Sequence, residues 1–294
     1  MSFALPVQAV LSGVTIGFVY ALIGLGIAVI FKGSKVVNAM QGEFAIVGGM
    51  TAAIVLAAGL PFITAIAAGI GVGALGGGLI QRFLVGPMIA RKANEESMLL
   101  LTIGIAFTLS AAVLFVAGRG SHLLPAVGGN GVVELAGATI RIHAIFLMIA
   151  GSLLIGGLTV FFKHTVLGIA MTAAALDPDG ATIVGINVQR MRQATFVLGG
   201  ALGAIAGILV APLTEVGYQM GLTLTLKGFA AAVVGGLTNP LGAVAGGLLI
   251  GLVESFGVVF IASGYKNVFA MTVLILIMIL VPHGILGRAG RTGG

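Results

Sequence analysis

Val7-Gln-Ala-Val-Leu-Ser-Gly-Val-Thr-Ile-Gly-Phe-Val-Tyr-Ala-Leu-Ile-Gly-Leu-Gly-Ile-Ala-Val-Ile-Phe31 runs for 25 residues without a charge. A hydrocarbon core about 30 Å thick takes roughly 20 residues of helix, so this stretch alone is long enough to cross a bilayer. Further uncharged runs cover Phe44 to Leu60, Phe62 to Ile80, Ser97 to Ala117, Ala144 to Phe162 and Ala194 to Leu213. Leu241 to Ala262 is broken only by Glu254, and Val268 to Val281 reaches a spanning length through Tyr265 and Pro282. Met220 to Leu237 is apolar apart from Lys227 and rich in Gly. It reads as a broken or re-entrant helix, since bare backbone at membrane depth survives only inside protein or beside a watery cavity.

The whole chain has this character. Of 294 residues, 59% are hydrophobic and 7% charged, against about 25% charged in an ordinary soluble domain. A water-soluble fold is excluded, and residues 1–294 form a single integral membrane domain. The fold class is all-α: a polytopic transmembrane helical bundle of eight full spans plus one broken helix. Cys is absent, which excludes disulfides, thiol chemistry and Cys-based metal sites. The opening Met-Ser-Phe-Ala-Leu-Pro lacks the basic n-region of a cleaved signal, so the first run is expected to stay as a helix.

Charge orients the chain, because Lys and Arg collect in cytoplasmic loops. Lys32 and Lys35; Arg82, Arg91 and Lys92; Lys163, Arg190 and Arg192; and Arg288 with Arg291 form clusters on alternate sides of the runs. These face the cytoplasm, while Arg119, Arg141 and Lys266 face out. The N-terminus is then outside and the C-terminus inside, which needs an odd number of crossings and makes the broken helix count as one. The net charge of +6 is explained by this orientation, with membrane lipid and not nucleic acid as the surrounding partner. Between Gly118 and His143, Val-Val-Glu-Leu and Thr-Ile-Arg-Ile-His alternate around Gly137, as in a small hairpin.

Glycines recur at small-residue spacing at Gly13 and Gly17, at Gly69, Gly73 and Gly77, at Gly199, Gly203 and Gly207, and at Gly247 and Gly251. Such ladders let helices pack backbone to backbone in lipid.

The longest interior loop, about residues 164–193, carries a second signal. Asp177 is a good N-cap, Pro178 suits the first helical turn and Gly185 suits the residue after the end, so Pro178 to Val184 is expected to be a two-turn helix. Gly168 to Leu176 is expected to form another before it. Two short helices projecting into the cytosol make a knob that a soluble partner can grip, a means of passing force from an ATPase to the membrane helices. No Walker A loop, nucleophile elbow or zincin helix occurs, so the chain itself is no enzyme and any ATP and Mg chemistry belongs to partner subunits.

Gly168-Ile-Ala-Met, Ala173, Asp177-Pro178, Ala181 and Gly185-Ile-Asn-Val resemble the coupling segment of the LivH-type permeases of branched-chain (hydrophobic) amino acid ABC importers. Tyr20-Ala-Leu-Ile-Gly-Leu-Gly, Asn38-Ala-Met-Gln-Gly-Glu-Phe, Leu209-Val-Ala-Pro-Leu, Leu226-Lys-Gly-Phe through Leu237, Pro240 through Leu248, Gly251-Leu-Val-Glu and Pro282-His-Gly-Ile-Leu-Gly follow in the family's order. The resemblance implies ATPase coupling by Gly168, Met171, Ala173, Asp177, Pro178, Ala181, Gly185 and Ile186. It also implies two cytosolic ABC ATPases, a periplasmic substrate-binding protein, a second homologous permease subunit in a heterodimer, a bacterial inner-membrane location and leucine, isoleucine, valine or similar solutes. Relatives that carry urea, amides or aromatic acids keep those substrates open, and scarcity of charge also fits a passive small-solute channel. The chain departs from the family's usual pattern at Ala39-Met40-Gln41 and at Thr172, where the family commonly has Arg.

Candidate pathway residues are Glu43, Tyr218, Gln219, Met220, Lys227, Phe229 and Glu254. Glu43 begins a helix, where a carboxylate suits the positive end of the dipole. Glu254 lies inside a span, where an ionisable group points to function, but the resemblance implies that Glu is common here in the family, which supports a structural hydrogen bond equally with a substrate contact. Lys227 either snorkels to an interface, the preferred reading, or pairs with Glu215 or Glu254. His122, His143, His164 and His283 have no ligand spacing, so no metal site is expected.

Overall fold

The computed structural model describes residues 4–237, 239–281 and 284–286. The chain forms α1 (Ala4–Ser34), α2 (Gln41–Ala57) and α3 (Phe62–Ile80), the last running through a π-helical turn at Gln81–Val85 into α4 (Gly86–Ala90). Then come α5 (Glu95–Ala117), a hairpin of β1 (Val132–Leu135) and β2 (Ala138–Arg141), α6 (Ile142–His164), α7 (Val166–Leu176) and α8 (Pro178–Ile183). The remainder is α9 (Val188–Val210), α10 (Met220–Gly235), α11 (Pro240–Phe260) and α12 (Lys266–Leu280). Six helical segments among the described residues are long and apolar enough to cross a membrane: α1, α3 with α4, α5, α6, α9 and α11. α2, α10 and α12 are apolar but shorter.

The expected break inside Met220 to Leu237 is absent: Met220–Gly235 is one continuous helix. Irregular backbone lies ahead of it, at residues 211–219, and after it at Gly236. Its glycines are contact faces, not hinges. A Cβ on Gly228 would strike Ile23, one on Gly221 would strike Glu43, and one on Gly235 would strike the backbone of Gly242.

α1 is the axis of the bundle, enclosed from Val19 to Ile30. It meets α11 without intervening side chains: a Cβ on Gly17 would lie 2.8 Å from Leu248 Cα, and one on Gly247 would lie 2.6 Å from Ala21 N. The Gly69, Gly73 and Gly77 ladder of α3 likewise meets α2 and α9, with a Gly73 Cβ falling 2.7 Å from Gly200 O. Apolar surface against lipid gives helices no hydrophobic reason to associate, so this close contact is what holds them together. α5 and α6 lie at the periphery and turn Leu100, Phe115 and Leu153 outward.

The two ends of the bundle differ. At one, the hairpin pairs Val132 with Arg141 and Leu135 with Ala138, around a turn whose Ala136 and Gly137 both have positive φ, the geometry of a tight two-residue hairpin. Gln8 of α1 clamps it, donating to Thr139 O at 3.1 Å and accepting from Thr139 N at 2.9 Å. His122 and Val216 bridge their backbones at the same end. The other end carries α7 and α8, and there Ile285 N donates to Val234 O at 2.8 Å, tying residues 284–286 to the end of α10. Lys32, Lys35, Arg82, Arg91, Lys92, Lys163, Arg190 and Arg192 gather at this second end, while Arg119, Arg141 and Lys266 lie at the first. Arg288 and Arg291, and Pro282, His283 and Gly287 of the closing motif, lie outside the described residues.

Gly247→Leu will wedge α1 from α11 and cost about 1–3 kcal/mol, as overpacking does, read as a lower melting temperature of the detergent-solubilised protein. Gly156→Ala, whose Cβ would meet nothing within 4 Å, will leave that temperature unchanged or raise it, since Ala is favoured over Gly in a helix by about 0.5–1 kcal/mol.

Candidate functional site

Three groupings of residues stand out. The first is the elbow of α7 and α8, where local chemistry sets each boundary. Thr165 caps α7 by accepting from Gly168 N at 3.0 Å, Asp177 caps α8 by accepting from Gly180 N at 2.9 Å, and Asn187 caps α9 by accepting from Arg190 N at 2.9 Å. Gly185, at φ 85°, closes α8 in the left-handed conformation, and Ile186 N donates to Ala181 O at 2.9 Å. The observed helix is one residue shorter than expected, with Val184 as its C-cap.

Gly168 sits against Phe161 and Phe162, where a Cβ would come 2.7 Å from Phe162 Cα. Met171 is buried against α1 and α9 together with Leu25, Val29 and Leu202. Ala173 accepts from Asp177 N at 3.0 Å, and Ala181 is buried. The opposite face is apolar and open: Val166, Leu176, Ile183 and Val184 are each at least 69% exposed. Thr172 turns back on its own helix, donating to Gly168 O at 2.9 Å.

The second grouping is a buried charge cluster between α1, α10, α11 and α12. Lys227 is 5% exposed and donates from Nζ to both Glu254 oxygens at 3.1 Å and to the Tyr20 hydroxyl at 2.8 Å. The Tyr20 hydroxyl donates to Glu254 at 2.9 Å, and Lys266 Nζ reaches Glu254 Oε1 at 3.1 Å. Lys227 therefore pairs and does not snorkel: its short reach from mid-helix finds a carboxylate before it finds an interface. Tyr20 and Lys266 are not legible as partners in the sequence, because nothing local to Tyr20 marks its hydroxyl as facing a charge and Lys266 reads as a loop charge. Four helices are joined at one carboxylate.

The third grouping is a cleft of ≈ 210 Å³ between α2, α5 and the start of α10, lined by Glu43, Tyr218 and Gln219 with Ser110, Phe107 and Leu222 among others. Ser110 Oγ donates to Tyr218 O at 2.7 Å, and Gln219 Nε2 donates to the Tyr218 hydroxyl at 2.8 Å. Glu43 is 2% exposed, and its Oε2 has no hydrogen-bond partner. It does sit in the first turn of α2, but a helix dipole offers about 0.3–1 kcal/mol where burying a charge costs several kcal/mol.

The expected pathway residues thus separate. Glu43 and Tyr218 share the cleft, Gln219 reaches both this cleft and a second one holding Met220 and Lys227, and Glu254 anchors the charge cluster. Phe229 packs against the core and lines neither. Met40 and Gln41 are fully buried, with Gln41 donating to Gly199 O at 2.9 Å, so they join α2 to α9 outside the cleft. His143 is a strut, its ring nitrogens bonded to Val127 N at 3.1 Å and Leu209 O at 2.9 Å.

The family model for the branched-chain amino acid transport system permease component matches residues 9–282. The chain belongs to this family. It is 32% identical to the high-affinity branched-chain amino acid transport system permease protein BraD of Pseudomonas aeruginosa, across 96% of this chain and 95% of that one. It is 31% identical to LivH of Escherichia coli K12 over the same shares. Among solved structures, PsaBC from Streptococcus pneumoniae in complex with Fab superposes with a TM-score of 0.52 at 14% identity, covering 96% of this chain and 93% of that chain; this likeness speaks to the fold alone. The chain is accordingly a multi-pass membrane permease subunit of an importer and not itself an enzyme.

Glu254→Leu strands Lys227 in the bundle and will cost about 3–5 kcal/mol, the usual penalty for breaking a buried pair. Adding Lys227→Met will recover part of that loss. Lys266→Met, which removes a 43% exposed partner, will cost no more than about 1 kcal/mol. Melting temperatures of the purified variants check the order.

Proposed function

We propose that this permease works in a bacterial inner membrane as half of an ATP-driven importer. It crosses the bilayer nine times, at α1, α2, α3 with α4, α5, α6, α9, α10, α11 and α12, with its N-terminus outside and its C-terminus inside. A periplasmic binding protein delivers the solute, a homologous second permease subunit completes the pathway as a heterodimer, and two cytosolic ABC ATPases drive it. The solutes are branched-chain or other small hydrophobic amino acids, as the names of BraD and LivH suggest.

The observation that carries this reading is the α7–α8 elbow. Its outer face holds Val166, Ile183 and Val184 away from the bundle at the end where the basic residues gather, and Lys and Arg favour the cytoplasmic side. An apolar face on a pair of short, well-capped helices suits a groove in a soluble partner. A passive channel has no use for such a projection.

Asp177→Ala with Gly185→Pro removes the N-cap and the left-handed closing residue together. It will reduce copurifying ATPase subunits at least tenfold with membrane insertion unchanged, and normal copurification would remove the coupling assignment. Leucine uptake into vesicles holding the whole system will require ATP; uptake that persists without it rules out an ABC importer. Since the chain has no cysteine, Glu134→Cys and Thr182→Cys each provide one thiol. An impermeant thiol reagent will label Glu134→Cys from outside and Thr182→Cys only after permeabilisation, and the reverse pattern would invert the orientation.

A further inference from the structure

We propose that Glu43 is a specificity-determining residue that receives the α-ammonium group of the transported amino acid in the cleft between α2, α5 and α10, an inference that rests on the function proposed above. The carboxylate is placed there by design of the backbone. Gly221 leaves the space it occupies, since a Cβ at that position would collide with both carboxylate oxygens. The first turn of α2 is fixed to α10 beside it, with Gly42 N donating to Thr225 Oγ1 at 2.8 Å.

Among the described residues no cation or hydrogen-bond donor answers this charge. Among the described residues both ion pairs go to Glu254, and Glu43 Oε2 accepts no hydrogen bond. A buried carboxylate without a partner is costly and keeps its charge only when a cation meets it, and an ionisable group inside a membrane helix points to function. The surroundings narrow which cation. The Tyr218 hydroxyl accepts from Gln219 Nε2, which leaves its own hydrogen free to donate, and Gln219 keeps its carbonyl oxygen. A phenolic donor near a carboxylate can hold the two ends of a zwitterion. Phe107 and Leu222 supply an apolar wall, and a volume of ≈ 210 Å³ is below the roughly 300–1,000 Å³ of drug-sized sites. A small α-amino acid with an apolar side chain satisfies all three features; a metal ion leaves the apolar wall unused, and a neutral amide leaves the carboxylate unpaired.

The test uses the full chain, which has no tryptophan. Phe107→Trp places the chain's one tryptophan in the cleft, excited selectively over the tyrosines. Its emission will shift with L-leucine, will not shift with isocaproate, which has the side chain but no amine, and will lose the leucine response when Glu43→Gln is added. An equal response to isocaproate, a response that survives Glu43→Gln, or no response to leucine would each overturn the assignment. In vesicles carrying the whole transporter with native Phe107, Glu43→Gln will lower ATP-driven leucine uptake at least tenfold with the melting temperature unchanged, and Glu43→Asp will restore a substantial part. Uptake within twofold of wild type, or a loss that follows a fall in melting temperature, overturns the assignment and leaves the importer reading standing. Wild-type protein that imports none of leucine, isoleucine and valine overturns both.

Discussion

The backbone contact of α1 with α11 fixes the rest of the bundle. Gly13 and Gly17 face Leu252 and Leu248, and Gly247 and Gly251 face back toward Ala21 and Gly17, so neither helix leaves space for a side chain between them. In lipid the gain on association comes from van der Waals contact and hydrogen bonds, and glycine at both surfaces raises the first by letting whole backbones touch. The same proximity gives the second. Tyr20, three residues past Gly17, can reach Glu254, three residues past Gly251, only because the axes are this close. Gly24 and Gly228 bring α10 in on the adjoining side, which delivers Lys227 to the same carboxylate. A cluster of charge that lipid would punish is thereby sealed within protein.

A second glycine seam does comparable work around α9. Gly203 and Gly207 lie against Gln41, Phe44 and Ala45 of α2, while Gly200 lies against Gly73 of α3. The first turn of α2 is consequently buried by α9 on one side and by Gly221 of α10 on another. Position and burial of Glu43 follow from those two seams, before any property of the carboxylate itself is considered.

What could be read from the sequence was what depends on neighbours in the chain. Asp177, Pro178 and Gly185 define α8 to within one residue because a cap, a ring-locked φ and a left-handed glycine act over three or four positions. The hairpin about Gly137 was legible for the same reason, and the apolar runs disclosed helices by length. Contacts between distant positions were not. Lys227 meets a hydroxyl 207 residues away, and no local pattern distinguishes that from a lysine reaching for an interface. Gly-rich α10 misled in a related manner: its glycines resemble a break when read along the chain and are contact faces when neighbouring helices are added. Likewise, Glu43 was legible as a helix-start carboxylate, whereas its unpartnered oxygen depends on what α5 and α10 fail to provide.

The capped junction after α8 has a mechanical consequence. Asn187, two residues past Gly185, caps α9 by accepting from Arg190 N, and Met171 of α7 packs in one buried cluster with Leu202 of α9, so a shift of the elbow is passed to α9 through a two-residue link and a packed contact. That helix has 23 residues and is about 35 Å long. A tilt of about 5° at one end of such a rod displaces the other by about 3 Å. Because α2 rides on its glycine seam, the rod is a lever arm whose load is the turn that holds Glu43.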